Sequence, residues 1–139
     1  RDDKAEEIAY HWERSKKYLS LLQDMLNQAG VPLVIGTYPY GIHIGTNQWA
    51  HGRLAWGFSN DTVYDSAYAF GLVSSFAEER GIPYIDTLQA LRQHKDEELY
   101  FPDNGHFNRR GNYYVAVSLA ESEALNAVIA GAHARKNFS

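Results

Sequence analysis

Two short apolar runs, each entered through a glycine that ends a helical stretch, constrain this chain most. Val31-Pro32-Leu33-Val34-Ile35-Gly36-Thr37 follows Gly30, and Ile82-Pro83-Tyr84-Ile85-Asp86 follows Gly81. The first is apolar without alternation. A strand wet on one face alternates; a strand covered on both faces does not. Pro32 lacks a ladder donor and fits only near the start of its strand.

Helical periodicity fills the spaces between. Asp3 to Ala29 carries Ile8, Trp12, Leu19, Leu22, Leu26 and Ala29 near the 3.6 period, with acids in its first turns. Asp61 to Arg80 reads as a second helix, with Val63, Ala67, Phe70 and Ala77 on one face. Gly57-Phe58-Ser59-Asn60-Asp61 is read as its cap. Thr87 to Gln93 predicts one or two turns. Asn108, a good N-cap, opens a last helix to about Ala130, and 132–139 is expected to fray. Residues 38–60 have no period and are broken by glycines, the mark of a functional or partly structured loop.

Alternation of this kind predicts an α/β fold with a parallel sheet and right-handed crossovers. Two strands cannot cover both faces and leave no open edge, so the pattern resembles half of a doubly wound domain. The length of 139 residues suits one domain. A net charge of -4 with scattered basic residues gives no nucleic-acid footprint. The absence of cysteine excludes disulfides and thiolate chemistry but selects no compartment.

The chemistry concentrates in Asp103-Asn104-Gly105-His106, on a turn just ahead of the last helix. A carboxylate three residues before an imidazole shares a face with it if the turn is helical. Such a carboxylate holds one tautomer and lets the ring take a proton from a hydroxyl nucleophile. By residue type His43, His51, Asp103 and His106 could bind a metal, but no spacing supports it, and none is assigned. His51-Gly52-Arg53 could contact an anionic or sugar substrate. Asp86 is read as a turn cap. His11, His94 and His133 are read as exposed bystanders, and Lys95-Asp96-Glu97-Glu98 as a solvated face.

From Val31 to Ala120 the chain resembles the C-terminal half of the SGNH (GDSL-type) hydrolases. The resemblance rests on Gly36-Thr37-Tyr38-Pro39, Gly81-Ile82-Pro83-Tyr84-Ile85-Asp86, Leu99-Tyr100-Phe101-Pro102-Asp103-Asn104-Gly105-His106-Phe107-Asn108 and Arg110-Gly111-Asn112-Tyr113-Tyr114-Val115-Ala116. It implies a flavodoxin-like, three-layer α/β/α domain with His106 as the base and Asp103 as its orienting acid. Tyr38, His51 and Arg53 are the candidate substrate contacts. It implies no cofactor and leans toward an extracytoplasmic location. The implied activity is hydrolysis or transfer of acyl esters, including those of carbohydrates.

The family's Gly-Asp-Ser block and its Gly and Asn oxyanion blocks have no counterpart here. The expectation is therefore an incomplete domain that supplies base and orienter, with the nucleophile in a missing N-terminal half. Its strand at Val31–Thr37 would lack one neighbour and invite self-association. Two rivals stand beside this reading. One is a non-catalytic carbohydrate-binding or acyltransferase-accessory domain. The other is a flavodoxin-like signalling module using Asp86 at a strand end.

Overall fold

In the computed structural model, which describes residues 5–65 and 67–136, the chain opens with helix α1, Ala5–Gln28. Asp3, where the sequence places its start, lies outside the described residues. Glu6 and Glu7 sit in its first turn, the favourable end for acids. Its exit is set by Gly30 at φ +68. Gly30 N–H reaches Asn27 O at 3.1 Å and Val31 N–H reaches Leu26 O at 2.9 Å, the paired bonds of a left-handed helix cap. Helix α3, Ala67–Glu79, ends in the same way. Gly81 has φ +62, its N–H meets Glu78 O at 3.1 Å, and Ile82 N–H meets Ala77 O at 2.8 Å. Both strand-bound segments thus leave a helix through one device that glycine alone adopts without strain.

Strand β1 is Ile35–Thr37 and β2 is Tyr84–Asp86. They pair in parallel, with Ile35 opposite Tyr84, Gly36 opposite Ile85 and Thr37 opposite Asp86. The α/β character and the parallel pair agree with the sequence. The strands are shorter than the apolar runs because the preceding residues have few donors to give. Val31 N–H is used by the helix cap, and Pro32 and Pro83 have none. Among the described residues the sheet has two strands.

Two apolar clusters hold the chain. Phe76, Ala77 and Ile82 pack with Trp12, Leu19, Leu33, Ile35 and Tyr84, joining α1 and α3 to the sheet. The larger cluster lies elsewhere. Ile42, Ile44, Trp49, Leu88, Leu91, Leu99 and Tyr100 are buried together, with Phe58, Tyr64 and Phe107 against them. The period-less stretch 38–60 therefore supplies core. It contains a 3-10 turn, Gly41–His43, and a short helix α2, Ala50–Ala55.

Three boundaries differ from the sequence reading. The second helix begins at Ala67 rather than Asp61, because groups of 61–65 bond outside any helix. Thr62 O accepts from Arg53, and Tyr64 N–H donates to Ile42 O. Helix α4, Leu88–Arg92, falls where expected. The last helix is two: α5, Arg109–Ala120, and α6, Glu123–Lys136, bent by 58°. Ser122 Oγ accepts Leu125 N–H at 3.3 Å and Asn126 Nδ2 donates to Ala120 O at 3.0 Å, so local polar side chains close one helix and open the next. The tail expected to fray from Ala132 stays helical to Lys136, and 137–139 lie outside the described residues. Helix α6 packs against β2, and α5 against α4 and α6. Among the described residues no single helix is long and apolar enough to cross a membrane.

Candidate functional site

The Asp103–His106 segment is the tip of a short antiparallel turn. Tyr100 and Phe107 bridge, Phe101 N–H donates to His106 O at 3.0 Å, and Asn108 N–H donates to Leu99 O at 2.9 Å. The root is immobilised: Leu99 and Tyr100 are buried, and the Tyr100 hydroxyl donates to Pro39 O. Burial pushes that phenol far above its ordinary range. Tyr38 lies against Phe107, with ring centroids 5.6 Å apart. Tyr40 lies over Gly105, where a Cβ would come within 3.2 Å of the ring. The tip therefore sits beside the chain leaving the carboxyl end of β1, the end at which open α/β sheets place ligands.

His106 is exposed. Its Nδ1 lies 3.0 Å from Asn104 Oδ1, which also accepts the His106 backbone N–H at 3.1 Å. An acceptor at Nδ1 favours the tautomer that leaves the Nε2 lone pair free, the form a general base needs. Among the described residues Nε2 has no partner. Asp103 turns to another histidine: its Oδ1 lies 2.9 Å from His51 Nδ1, and both side chains are about three-quarters exposed, at 77% and 75%. The expected Asp103–His106 bond is thus replaced by two others, Asp103 to His51 and His106 to Asn104. Asn104 was legible only as a turn residue. Its place two residues before the histidine is the signal, because Asn side chains bond backbone two residues on. The His51–Asp103 contact spans 52 positions and has no local sequence pattern.

Arg53 is not an exposed substrate contact. It is fully buried, and its guanidinium donates to Gly45 O at 3.0 Å, Thr46 O at 2.6 Å and Thr62 O at 2.6 Å. Burial pulls its pKa below the usual value, yet arginine keeps its proton. It acts as a staple for the loop. Gln48, also fully buried, does the same for the approach to the tip. It donates to Lys95 O at 2.9 Å and Glu97 O at 2.5 Å, and accepts Leu99 N–H at 2.9 Å. Tyr38 is 68% exposed and remains available to a ligand.

Other residues are structural. Asp86 accepts Leu88 N–H at 2.8 Å and so closes the turn at Thr87 that leads into α4, as expected. Asn108 caps α5, accepting Arg110 N–H at 2.8 Å and Gly111 N–H at 3.0 Å. Ser59 Oγ donates to the Asp61 carboxylate, which that bond and one from Thr62 hold below the usual carboxylate range. Ser59 makes no hydrogen bond to His106, and its segment does not cap α3. His43 Nδ1 lies 3.0 Å from Tyr64 O, away from the tip's contacts. His94 and Glu97 are not the solvated bystanders that the sequence suggested. The His94 ring stacks on Tyr114 at 3.5 Å, and Glu97 receives the Tyr114 hydroxyl at 2.8 Å and pairs with Arg110 at 3.2 Å. Among the described residues no group of three His, Asp or Glu is arranged to hold a metal. No family model matches the chain, and neither a curated protein nor a solved structure matches it.

Proposed function

We propose that this chain forms the C-terminal part of an SGNH-type, three-layer α/β/α ester hydrolase or acyltransferase domain, with His106 as general base and Asp103 as its orienting acid. The observation that carries the reading is His106 itself. It is an exposed imidazole on a braced loop, with Nδ1 tied to an oxygen of its own turn and an acid three residues before it.

The chemistry follows from those positions. A serine hydroxyl from outside these 139 residues gives its proton to Nε2 as it attacks the acyl carbonyl. The imidazolium then returns the proton to the departing alcohol, and a second cycle with water or an acceptor alcohol frees the acyl group. An acceptor at Nδ1 stabilises the imidazolium. Asn104 occupies that position here, an amide role known from Cys-His-Asn sites. The neighbouring carboxylate is the stronger acceptor for a cation. Oxyanion donors, worth about 3–4 kcal/mol each, would come from the same outside segment as the serine. Two observations support an outside segment. Ser59 is engaged with Asp61, and the side chains of Asp103 and His106 are exposed.

The test is hydrolysis of an aryl acetate by the protein that carries this chain. His106→Ala should lower kcat by roughly 10³-fold or more. Undiminished turnover in that variant would overturn the reading. The exposed Tyr38 and Tyr40 rings beside the tip favour a second reading, a non-catalytic carbohydrate-binding or acyltransferase-accessory domain. It expects acetylated oligosaccharide binding that survives His106→Ala and is lost in Tyr38→Ala.

A further inference from the structure

One contact at the tip lies outside the base–amide pair just described. His51 meets Asp103 through Nδ1, while the backbone N–H groups of His51 and Gly52 both donate to Pro102 O, at 3.0 and 2.9 Å. A single turn of α2 thus grips two consecutive residues of the tip by three hydrogen bonds. That turn is well held. Trp49, Gly52 and Arg53 around His51 are buried, and a Cβ at Gly52 would collide with the Trp49 indole. A lone surface ion pair contributes little. A side chain fixed to a stapled turn, and reaching the acid beside an exposed base, can do more.

We propose that His51 is a positioning residue for the His106 base, holding Asp103 through one carboxylate oxygen so that the other can take the Nδ1–H of His106 from Asn104 as the imidazolium forms. This rests on the reading of His106 and Asp103 given above. A carboxylate has two oxygens and room for both imidazoles. Asp103 is otherwise an exposed side chain free to rotate, and a rotating acceptor orients a ring poorly. The bond to His51 removes that freedom. The neighbouring charged group on α2, Arg53, points to carbonyl oxygens of its own loop and does not compete for Asp103.

Two measurements test this. Nitrogen-15 NMR of the 139-residue chain should find the neutral His51 ring protonated at Nδ1. Asp103→Ala, which removes the acceptor, should return it toward the ordinary mixture of tautomers. A His51 protonated chiefly at Nε2 in the unaltered chain would overturn the proposal, whatever the enzyme does. The second is a double-mutant cycle on ester hydrolysis by the protein that carries the chain. His51→Ala should lower kcat roughly tenfold with little change in KM, and His51→Asn, which keeps a donor near the Nδ1 position, should recover most of it. In an Asp103→Ala background, His51→Ala should cost nothing further. If Asp103→Ala is costly and His51→Ala is silent or additive to it, His51 has no such role while the base-and-acid reading stands. If Asp103→Ala is itself silent, that reading fails first.

Discussion

Tyr100 shows how much one side chain contributes to the site without touching it. Its ring is 1% exposed, packed at 4.6 Å from Phe107, and its hydroxyl is the tie between the tip's root and Pro39. Burial raises its folded-state pKa above the unfolded value near 10. For a group raised on folding, the stabilisation is fully present below the unfolded pKa and is lost as pH rises from there toward the folded pKa. The loss therefore begins near pH 10. Tyr100→Phe should cost about 1 kcal/mol at pH 8, where the bond to Pro39 O is removed. Between pH 8 and pH 11 the variant should then lose less stability than the parent, read from urea midpoints. Equal alkaline losses would show that Tyr100 stays reachable by hydroxide in the folded chain. Arg53 makes a complementary point. An arginine in a glycine-rich loop reads as a ligand contact, yet three backbone carbonyls claim it once the loop closes.

Among the elements, α5 sets the height at which His106 stands. Asn108 caps its first turn and also donates from Nδ2 to Glu98 O at 2.7 Å, so the helix start and the tip's root are one unit. Gly111 allows the approach. A Cβ there would fall 2.2 Å from Leu99 O and 2.6 Å from a Phe107 ring carbon, both inside van der Waals contact. Because one of those atoms is backbone, the clash cannot be relieved by a rotamer change alone. Gly111→Ala, which helix propensity alone would favour by up to about 1 kcal/mol, should instead destabilise the chain by roughly 1–3 kcal/mol in urea titration. A stabilised Gly111→Ala variant would mean that α5 does not seat on Leu99 as described.

The molecule as a whole has more apolar surface than the two strands among the described residues can cover. On α1, Tyr10, Tyr18, Leu21 and Met25 are each more than half exposed. Among the described residues β1 pairs on one edge only. Unpaired backbone beside an apolar surface invites another chain. The isolated 139-residue chain should therefore self-associate, with a sedimentation coefficient that rises with concentration. A cooperatively melting monomer at about 100 μM would refute this, since a free edge and bare apolar faces promote association.

The legible parts were those governed by neighbours in sequence. Gly30 and Gly81 ended helices because the cap needs a left-handed residue. Asp86 and Asn108 capped what followed them, and the apolar runs paired in parallel. The helix break at Ser122 was missed because no glycine or proline marks it, and its cause is a local competition of side chain with backbone. The partners of Asp103, the burial of Arg53 and the core role of residues 38–60 had no signal along the chain. Each depends on groups some 7 to 52 positions apart, brought together only when the loop packs over Leu99 and Tyr100. Sequence alone determined the two glycine-capped helix ends and the residue types at the tip, because backbone geometry and hydrogen-bond supply are local. Tertiary structure alone decided which histidine meets the acid, because a carboxylate bonds to whichever donor the packed loop brings within about 3 Å.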